Sequence, residues 1–161
     1  GRPKNLSTSI LKRLFHMSKI EINPRSNYKY FLPIATRWMD NDTYGHVNNV
    51  VYYSYFDTIV NHFLIDRGGL DIHNSAVVGF VVASSCEYIN PISFPDKLAV
   101  GLRVDNIGSS SVRYGMAIYK SGKDAPCAKG TFTHVFVDRL SGKSSPIPTG
   151  LRHTLESLQL D

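Results

Sequence analysis

The residues from Arg37 to Asn49 carry an unusual density of chemically capable groups. The ten positions from 40 to 49 include two acids, a glycine, a histidine and an asparagine pair: Asp40, Asp42, Gly45, His46 and Asn48-Asn49. These residue types suit acyl transfer. A carboxylate can attack a carbonyl carbon or deprotonate a water, and free backbone N–H groups can stabilise the negative charge that develops on the carbonyl oxygen. The segment is therefore the candidate site.

The sequence on either side predicts a strand before this segment and a helix after it. Residues 28–38 are largely aromatic and aliphatic. From Asn48 to Arg67 the apolar residues recur at helical spacing, at Tyr52, Tyr55, Phe56, Ile59, Val60, Phe63 and Leu64. The Asn48-Asn49 pair suits the first turn of this helix, and Gly68-Gly69 suits its end. The candidate site therefore lies at a strand-to-helix junction, where the first helical N–H groups have no partner within the helix.

The rest of the chain predicts strands. A β-branched run covers residues 77–89, and apolar and polar residues alternate over 98–105, 112–118 and 127–138, with turn-forming residues between them. A sheet of about five antiparallel strands must bury one face, and the single long helix is the element that can cover it. The pattern thus predicts an α+β domain with the helix lying across the sheet, followed by a short helix over residues 149–160.

Composition limits the class of protein. The 161 residues are 42% hydrophobic and 19% charged, which suits one domain with its own core. Five basic residues precede the first acid, Glu21, and the remaining basic and acidic residues balance. The neutral body argues against a nucleic-acid partner, and no apolar run is long enough for a membrane span. Two cysteines are too few for a disulfide framework or a zinc site, so no metal is expected.

The acid-free N-terminus is treated separately from the body. We expect residues 1–27 to be a basic extension and linker, and residues 28–161 to be a single domain. Residues 1–20 place apolar residues at helical spacing between Arg and Lys, which is typical of a mitochondrial presequence. The alternative is an amphipathic helix that packs on the body. The composition predicts a mitochondrial protein, with a cytoplasmic location as the alternative.

The segment from Asp40 to Phe56 reads D-x-D-x-x-G-H-V-N-N followed by x-x-Y-x-x-Y-F. It closely resembles the 4-hydroxybenzoyl-CoA thioesterase family of hotdog-fold acyl-CoA thioesterases, and the order of elements agrees over residues 28–138. The resemblance implies a curved antiparallel sheet wrapped around one long central helix. It also implies a homodimer or homotetramer that hydrolyses acyl-CoA, with coenzyme A as part of the substrate and no cofactor. The catalytic acid of the family falls on Asp42, and its oxyanion amide falls on Asn49.

The resemblance also bears on the substrate. At residues 46–49 the 4-hydroxybenzoyl-specific members carry apolar and aromatic residues, whereas this chain has His-Val-Asn-Asn, which is more similar to the broader acyl-CoA and plant-type acyl-carrier thioesterases. We therefore expect an aliphatic acyl chain and a role in lipid metabolism. Two alternatives stay open. One is an acyl-carrier-protein thioesterase, which would call for a basic docking patch, and the other is a non-catalytic acyl-CoA-binding protein.

Each candidate residue of the motif also has a structural interpretation. Asp42 is the expected nucleophile or general base, but an aspartate in a loop also caps turns. Asp40 is expected to be structural, as a partner of Arg37. His46 is a catalytic candidate that would orient Asp42 or the substrate carbonyl, and the alternative is that it satisfies carbonyl groups of the loop.

The remaining candidates are expected to bind substrate or to pack. Gly45, Asn48 and Glu87 are the substrate-binding candidates, although Asn48 also suits a helix N-cap. Glu87 lies within an apolar strand, where burial requires a partner, and a position at a strand edge or interface is the alternative. His62 and His134 have no metal-ligand spacing and are expected to pack or to face solvent.

Overall fold

A computed structural model describes residues 24–160. The predicted presequence or amphipathic helix, residues 1–20, lies outside the described residues, and so does most of the predicted extension. The boundary between extension and domain at residue 28 therefore stays a prediction.

The described residues form one antiparallel sheet and two helices. In chain order the elements are β1 Tyr30–Ala35, α1 Val51–Asp66, β2 Val77–Tyr88, β3 Lys97–Ile107, β4 Ser111–Lys120, β5 Pro126–Asp138 and α2 Thr149–Glu156. The strand order across the sheet is β1-β3-β4-β5-β2. Every neighbouring pair is antiparallel, so the expected α+β layer arrangement is confirmed. Neither helix in this part of the chain combines the length and hydropathy needed to cross a membrane.

The apolar spacing that predicted α1 also describes its buried face. All seven apolar residues named for the helix are buried. The helix begins at Val51, three residues later than the sequence indicates, because Asn48 to Val50 form a turn that leads into it. It ends at Asp66, and Gly69 follows with a φ of +71°, a conformation that favours glycine.

Packing against the sheet fixes the position of α1. Phe56, Ile59 and Phe63 are fully buried, and they meet a core whose sheet side is formed by Leu98, Val100, Leu102, Tyr114, Met116 and Ile118. Removing a side chain of this size from water stabilises the fold by about 2 kcal/mol. Gly130 in β5 leaves room for the Phe56 ring, because a Cβ atom at that position would overlap it. The start of α1 is therefore held at a fixed place relative to the sheet.

The ends of the sheet differ from the sequence prediction. The first strand ends at Ala35 rather than Trp38, because residues 38–40 turn into a short 3-10 helix. The run at residues 77–89 is β2, which pairs with β5 and forms one edge of the sheet. Its register shifts between Val81 and Ala83, and Phe80 and Val82 beside this bulge are exposed. A long run of β-branched residues therefore lies at an edge and not in the centre of the sheet.

Two histidines outside the motif pack as expected. The Nδ1 atom of His62 lies 2.6 Å from the hydroxyl oxygen of Tyr30, and this hydroxyl donates its proton to Asp66 Oδ2 at 3.1 Å. His134 is 2% exposed, and its ring meets Tyr114 edge to face. Its Nδ1 atom finds no hydrogen-bond partner among the described residues. Burial lowers the pKa of His134 to about 4.

Because the imidazole of His134 is buried, we expect the free energy of unfolding to depend on pH. The pKa of His134 in the folded state lies below its ordinary value of 6.5, so its contribution is fully present above pH 6.5 and is lost as the pH falls toward 4. The loss amounts to about 3 kcal/mol when a shift of this size is converted to free energy. We expect the free energy of unfolding, measured in urea, to decrease as the pH is lowered from about 6 to 4.5. The decrease should be about 1 kcal/mol per pH unit larger for the wild type than for His134→Phe.

His153→Gln is the matched control, because the His153 side chain is largely exposed. It should keep the wild-type slope. Equal slopes for His134→Phe and wild type would show that His134 does not titrate in this range.

Candidate active site

A buried carboxylate organises the loop that carries the motif. Asp40 is 1% exposed and accepts four hydrogen bonds. Its Oδ1 atom accepts from the Arg37 guanidinium at 2.9 and 3.0 Å. Its Oδ2 atom accepts from the Arg37 backbone N–H at 2.9 Å and from the Tyr55 hydroxyl at 2.8 Å. The predicted partnership of Asp40 with Arg37 is confirmed, and α1 supplies a further donor that the sequence did not indicate.

These donors keep Asp40 ionised. Burial by itself would raise the pKa of Asp40, but the hydrogen bonds from Arg37 and Tyr55 and the charge of the guanidinium together lower it. The backbone carbonyl of Asp40 also accepts the N–H of Asn48 at 2.9 Å. The carboxylate therefore ties the 3-10 turn to the middle of α1, and its carbonyl ties the same turn to the residues that lead into the helix.

Asp42 begins a tight turn in which one of its carboxylate oxygens accepts a hydrogen bond. The Asp42 N–H donates to the His46 carbonyl at 2.9 Å, and the Gly45 N–H donates back to the Asp42 carbonyl at 3.1 Å. Gly45 closes the turn with a φ of +82°. The Oδ1 atom of Asp42 accepts the N–H of Tyr44 at 2.8 Å, whereas Oδ2 has no partner among residues 24–160. Asp42 thus caps the turn with one oxygen and leaves the other free for a water or a substrate.

Asp42 lines an open depression of about 650 Å³. The other lining residues are Trp38, Met39, Asn41, Thr43 and Gly45. A volume of this size is in the range of small-molecule sites. Gly45, a substrate-binding candidate, therefore lies beside Asp42 at the same depression.

Asn49 lies in the turn immediately before the helix. The sequence placed it in the first helical turn, but the residue that caps the helix is Val50. The N–H of Asn49 donates to no acceptor in the part of the chain that the structure describes, and its side chain is exposed. Asn48 Oδ1 accepts the N–H of Val50 at 3.2 Å, so Asn48 caps this turn and not the helix. The backbone amide that the resemblance assigns to the oxyanion is therefore available.

Tyr88 was missed by the sequence analysis. Its hydroxyl donates to the Asn49 carbonyl at 2.9 Å, and its ring meets that of Tyr52 edge to face. This contact joins the end of β2 to the turn that holds the candidate amide. No sequence signal could have revealed it, because an aromatic residue in a strand is ordinary and the partner lies 39 residues away.

The structure places His46 at an exposed position of the loop and Glu87 on an edge strand. His46 is exposed and reaches Asp42 only through its backbone carbonyl; its imidazole makes no hydrogen bond with the other described residues. Glu87 takes the alternative position that the sequence analysis gave it, because it is exposed on the edge strand, opposite Lys129. It lines a separate depression of about 170 Å³ with Arg103 and does not line that of Asp42.

The motif thus contains a carboxylate with one oxygen unpartnered among the described residues and, in the turn before α1, a backbone amide with no acceptor among them. Within residues 24–160 no three His, Cys, Asp or Glu side chains are placed to hold a metal ion. A five-stranded antiparallel sheet with a long helix packed across it is the architecture of the hotdog fold.

Comparison with known proteins agrees. The chain belongs to the thioesterase-like superfamily, whose sequence profile matches residues 36–155. The predicted hotdog thioesterase and its thioester hydrolase class are thereby confirmed.

Three relatives illustrate the similarity. The crystal structure of the PA5185 protein from Pseudomonas aeruginosa PAO1 has a TM-score of 0.83 and 53% identity, covering 84% of this chain and 95% of that one. A thioesterase from Thermus thermophilus, complexed with coenzyme A and Zn, has a TM-score of 0.69 and 27% identity, covering 83% and 96%. The uncharacterized protein YsmA of Bacillus subtilis (strain 168) is 23% identical over 124 residues, which are 74% of this chain and 80% of that protein.

Because buried Asp40 accepts four hydrogen bonds, we expect its charge to stabilise the fold. In Asp40→Asn the side chain keeps its shape, but the amide cannot accept all four hydrogen bonds. We expect the free energy of unfolding in urea to fall by about 1–3 kcal/mol, because buried donors lose their acceptor. Asp124→Asn, which changes an exposed acid, should stay within about 0.5 kcal/mol of wild type. Equal effects of the two variants would contradict the structural role of Asp40.

Proposed function

We propose that this thioester hydrolase cleaves an aliphatic acyl-CoA into the free acid and coenzyme A, with Asp42 as the catalytic carboxylate. The observation that carries the proposal is that Asp42, whose Oδ2 atom has no hydrogen-bond partner among the described residues, lines an open depression. A carboxylate with an unpartnered oxygen can act on a bound thioester, whereas both oxygens of the neighbouring Asp40 already accept hydrogen bonds.

Two routes use this oxygen, and both give the same products. In one, Asp42 attacks the thioester carbonyl, the C–S bond breaks, and water hydrolyses the resulting mixed anhydride. In the other, Asp42 removes a proton from a water that attacks the carbonyl. The thiolate of coenzyme A leaves and takes up a proton in either case. Each route develops negative charge on the thioester oxygen.

The backbone amide of Asn49 is the group we assign to that oxygen. It has no acceptor among the described residues, and the turn around it is held by three contacts. Asn48 Oδ1 accepts the following N–H of Val50, the Asn48 N–H bonds to Asp40, and the Asn49 carbonyl accepts from Tyr88. A donor held in place before the reaction stabilises developing charge without reorganisation.

Coenzyme A as the leaving group is supported by the complex of the Thermus thermophilus thioesterase with coenzyme A. The aliphatic chain is supported by the His-Val-Asn-Asn sequence at residues 46–49. Release from an acyl-carrier protein remains the second candidate. The balanced charge of the body, which offers no excess of basic residues to an acidic carrier, makes it the weaker one.

We also propose a homodimer formed through β2. This strand of 12 residues has one neighbour, β5, among the described strands, so its other edge is open to pairing. Phe80 and Val82 are exposed beside it. A long apolar edge strand tends to pair with another chain, and the resemblance implies dimers joined in this way.

The catalytic role of Asp42 is tested by replacing its carboxylate with an amide. We expect Asp42→Asn to lower kcat by roughly 10²–10⁴, measured as release of free thiol from acyl-CoA. The turn should survive, because an asparagine can still accept the N–H of Tyr44. Far-ultraviolet circular dichroism and sedimentation equilibrium should match wild type. Turnover within a few-fold of wild type would contradict the assigned mechanism.

The role of the Asn49 backbone amide is tested by two substitutions at one position. Asn49→Ala keeps the N–H, and because the side chain is exposed we expect most activity to remain. Asn49→Pro removes the N–H before the helix begins, where no helical hydrogen bond is lost. We expect kcat to fall by roughly 10²–10³ with little change in Tm. Alanine and proline variants of equal activity would rule out this amide as the oxyanion donor.

A further inference from the structure

The 3-10 turn before Asp42 presents large apolar side chains to solvent. Trp38 is 77% exposed and Met39 is 72% exposed. Phe94, from the segment between β2 and β3, meets the Trp38 ring edge to face at 5.7 Å and is 38% exposed. Single exposed apolar residues are ordinary, but adjoining large ones mark surfaces that bind something.

The backbone holds these side chains outward from both sides. On one side Asp40 and its four donors fix the 3-10 turn. On the other, Asn41 Oδ1 accepts the N–H of Phe94 at 3.0 Å, and Thr36 Oγ1 donates to the Asp96 carbonyl at 2.6 Å. An apolar surface that is already ordered loses little conformational entropy when it binds a ligand.

The same depression holds the apolar side chains and the catalytic candidate. Trp38 and Met39 line it together with Asp42. None of its lining residues is a lysine or an arginine, and its single charge is the carboxylate of Asp42. Phosphate groups are bound by cationic side chains or by N–H donors, so this surface is unsuited to the nucleotide end of coenzyme A. It suits the uncharged acyl chain, which extends from the carbonyl that Asp42 must reach.

We propose that Trp38 and Met39, with Phe94 behind Trp38, form the acyl-chain subsite and determine chain-length preference. The proposal rests on the function proposed above, because it places the thioester carbonyl at Asp42. Trp38 supplies a rigid wall beside the carboxylate. Met39, which is unbranched and adaptable, accommodates chains of different length.

The chain offers a direct probe, since Trp38 is its only tryptophan. S-alkyl-CoA thioethers of increasing chain length bind without being hydrolysed, so a binding result does not depend on turnover. We expect the Trp38 emission to shift to shorter wavelength with long S-alkyl-CoA but not with coenzyme A alone. The Kd should fall about two- to fourfold for each added methylene until the subsite is filled, because each methylene leaves water.

Met39→Ala retains the fluorescent reporter and should flatten this dependence of Kd on chain length. The affinity for coenzyme A alone should not change. Leu140→Ala, which shortens an apolar side chain that is 95% exposed in a different loop, should keep the wild-type dependence.

Three outcomes would overturn the proposal. The first two are a Trp38 emission that does not respond to S-alkyl-CoA and a Kd that does not depend on chain length. The third is a blue shift of the emission when the protein concentration is raised without ligand, because it would show that a second copy covers Trp38. A proven chain-length dependence without hydrolysis of any acyl-CoA would instead refute the proposed function and leave the subsite intact.

Discussion

The buried carboxylate of Asp40 is the interaction on which the candidate site depends. It joins three parts of the chain, because Arg37 binds it from the end of the first strand, Tyr55 from the centre of α1, and Asn48 through the adjacent carbonyl. An acid that is 1% exposed is tolerated only when its acceptors are engaged. These hydrogen bonds therefore hold the loop at a fixed position relative to the helix.

The two acids of the motif show how environment divides their roles. Asp40 and Asp42 are two residues apart. Both carboxylate oxygens of Asp40 accept hydrogen bonds that stabilise the fold, whereas one oxygen of Asp42 accepts a hydrogen bond within a turn. One oxygen of Asp42 stays unpaired among the described residues because Asp40, and not Asp42, makes the hydrogen bonds that hold the loop. The exposure of Trp38 and Met39 has the same origin, because the turn that carries them is held by Asp40.

The helix has a comparable part in placing the amide of Asn49. The packing of Phe56, Ile59 and Phe63 against the sheet determines where α1 begins, and the turn before it is held by Asn48 and by Tyr88 from the edge strand. A strand that offers an open edge to a second chain thus also contacts the candidate oxyanion site.

Local pattern alone determined much of this protein. The helical spacing from Tyr52 to Leu64 predicted α1 and its buried face, and alternation predicted the strands. The closeness of Arg37 and Asp40 in the chain predicted their ion pair. These features depend on neighbours within a few positions, which a sequence displays directly. The sequence did not predict the late start of α1, because side-chain and backbone hydrogen bonds in the preceding turn determine it.

Only the tertiary structure decided the features that depend on distant pairing. It placed β2 at an edge, so Glu87 is exposed and apart from the site, and it brought Tyr88 to the carbonyl of Asn49. It also left the imidazole of His46 without a hydrogen bond to Asp42. The physical reason is that period-2 alternation specifies which side chains share a face of a strand, but not which strands are neighbours or which atoms meet across them.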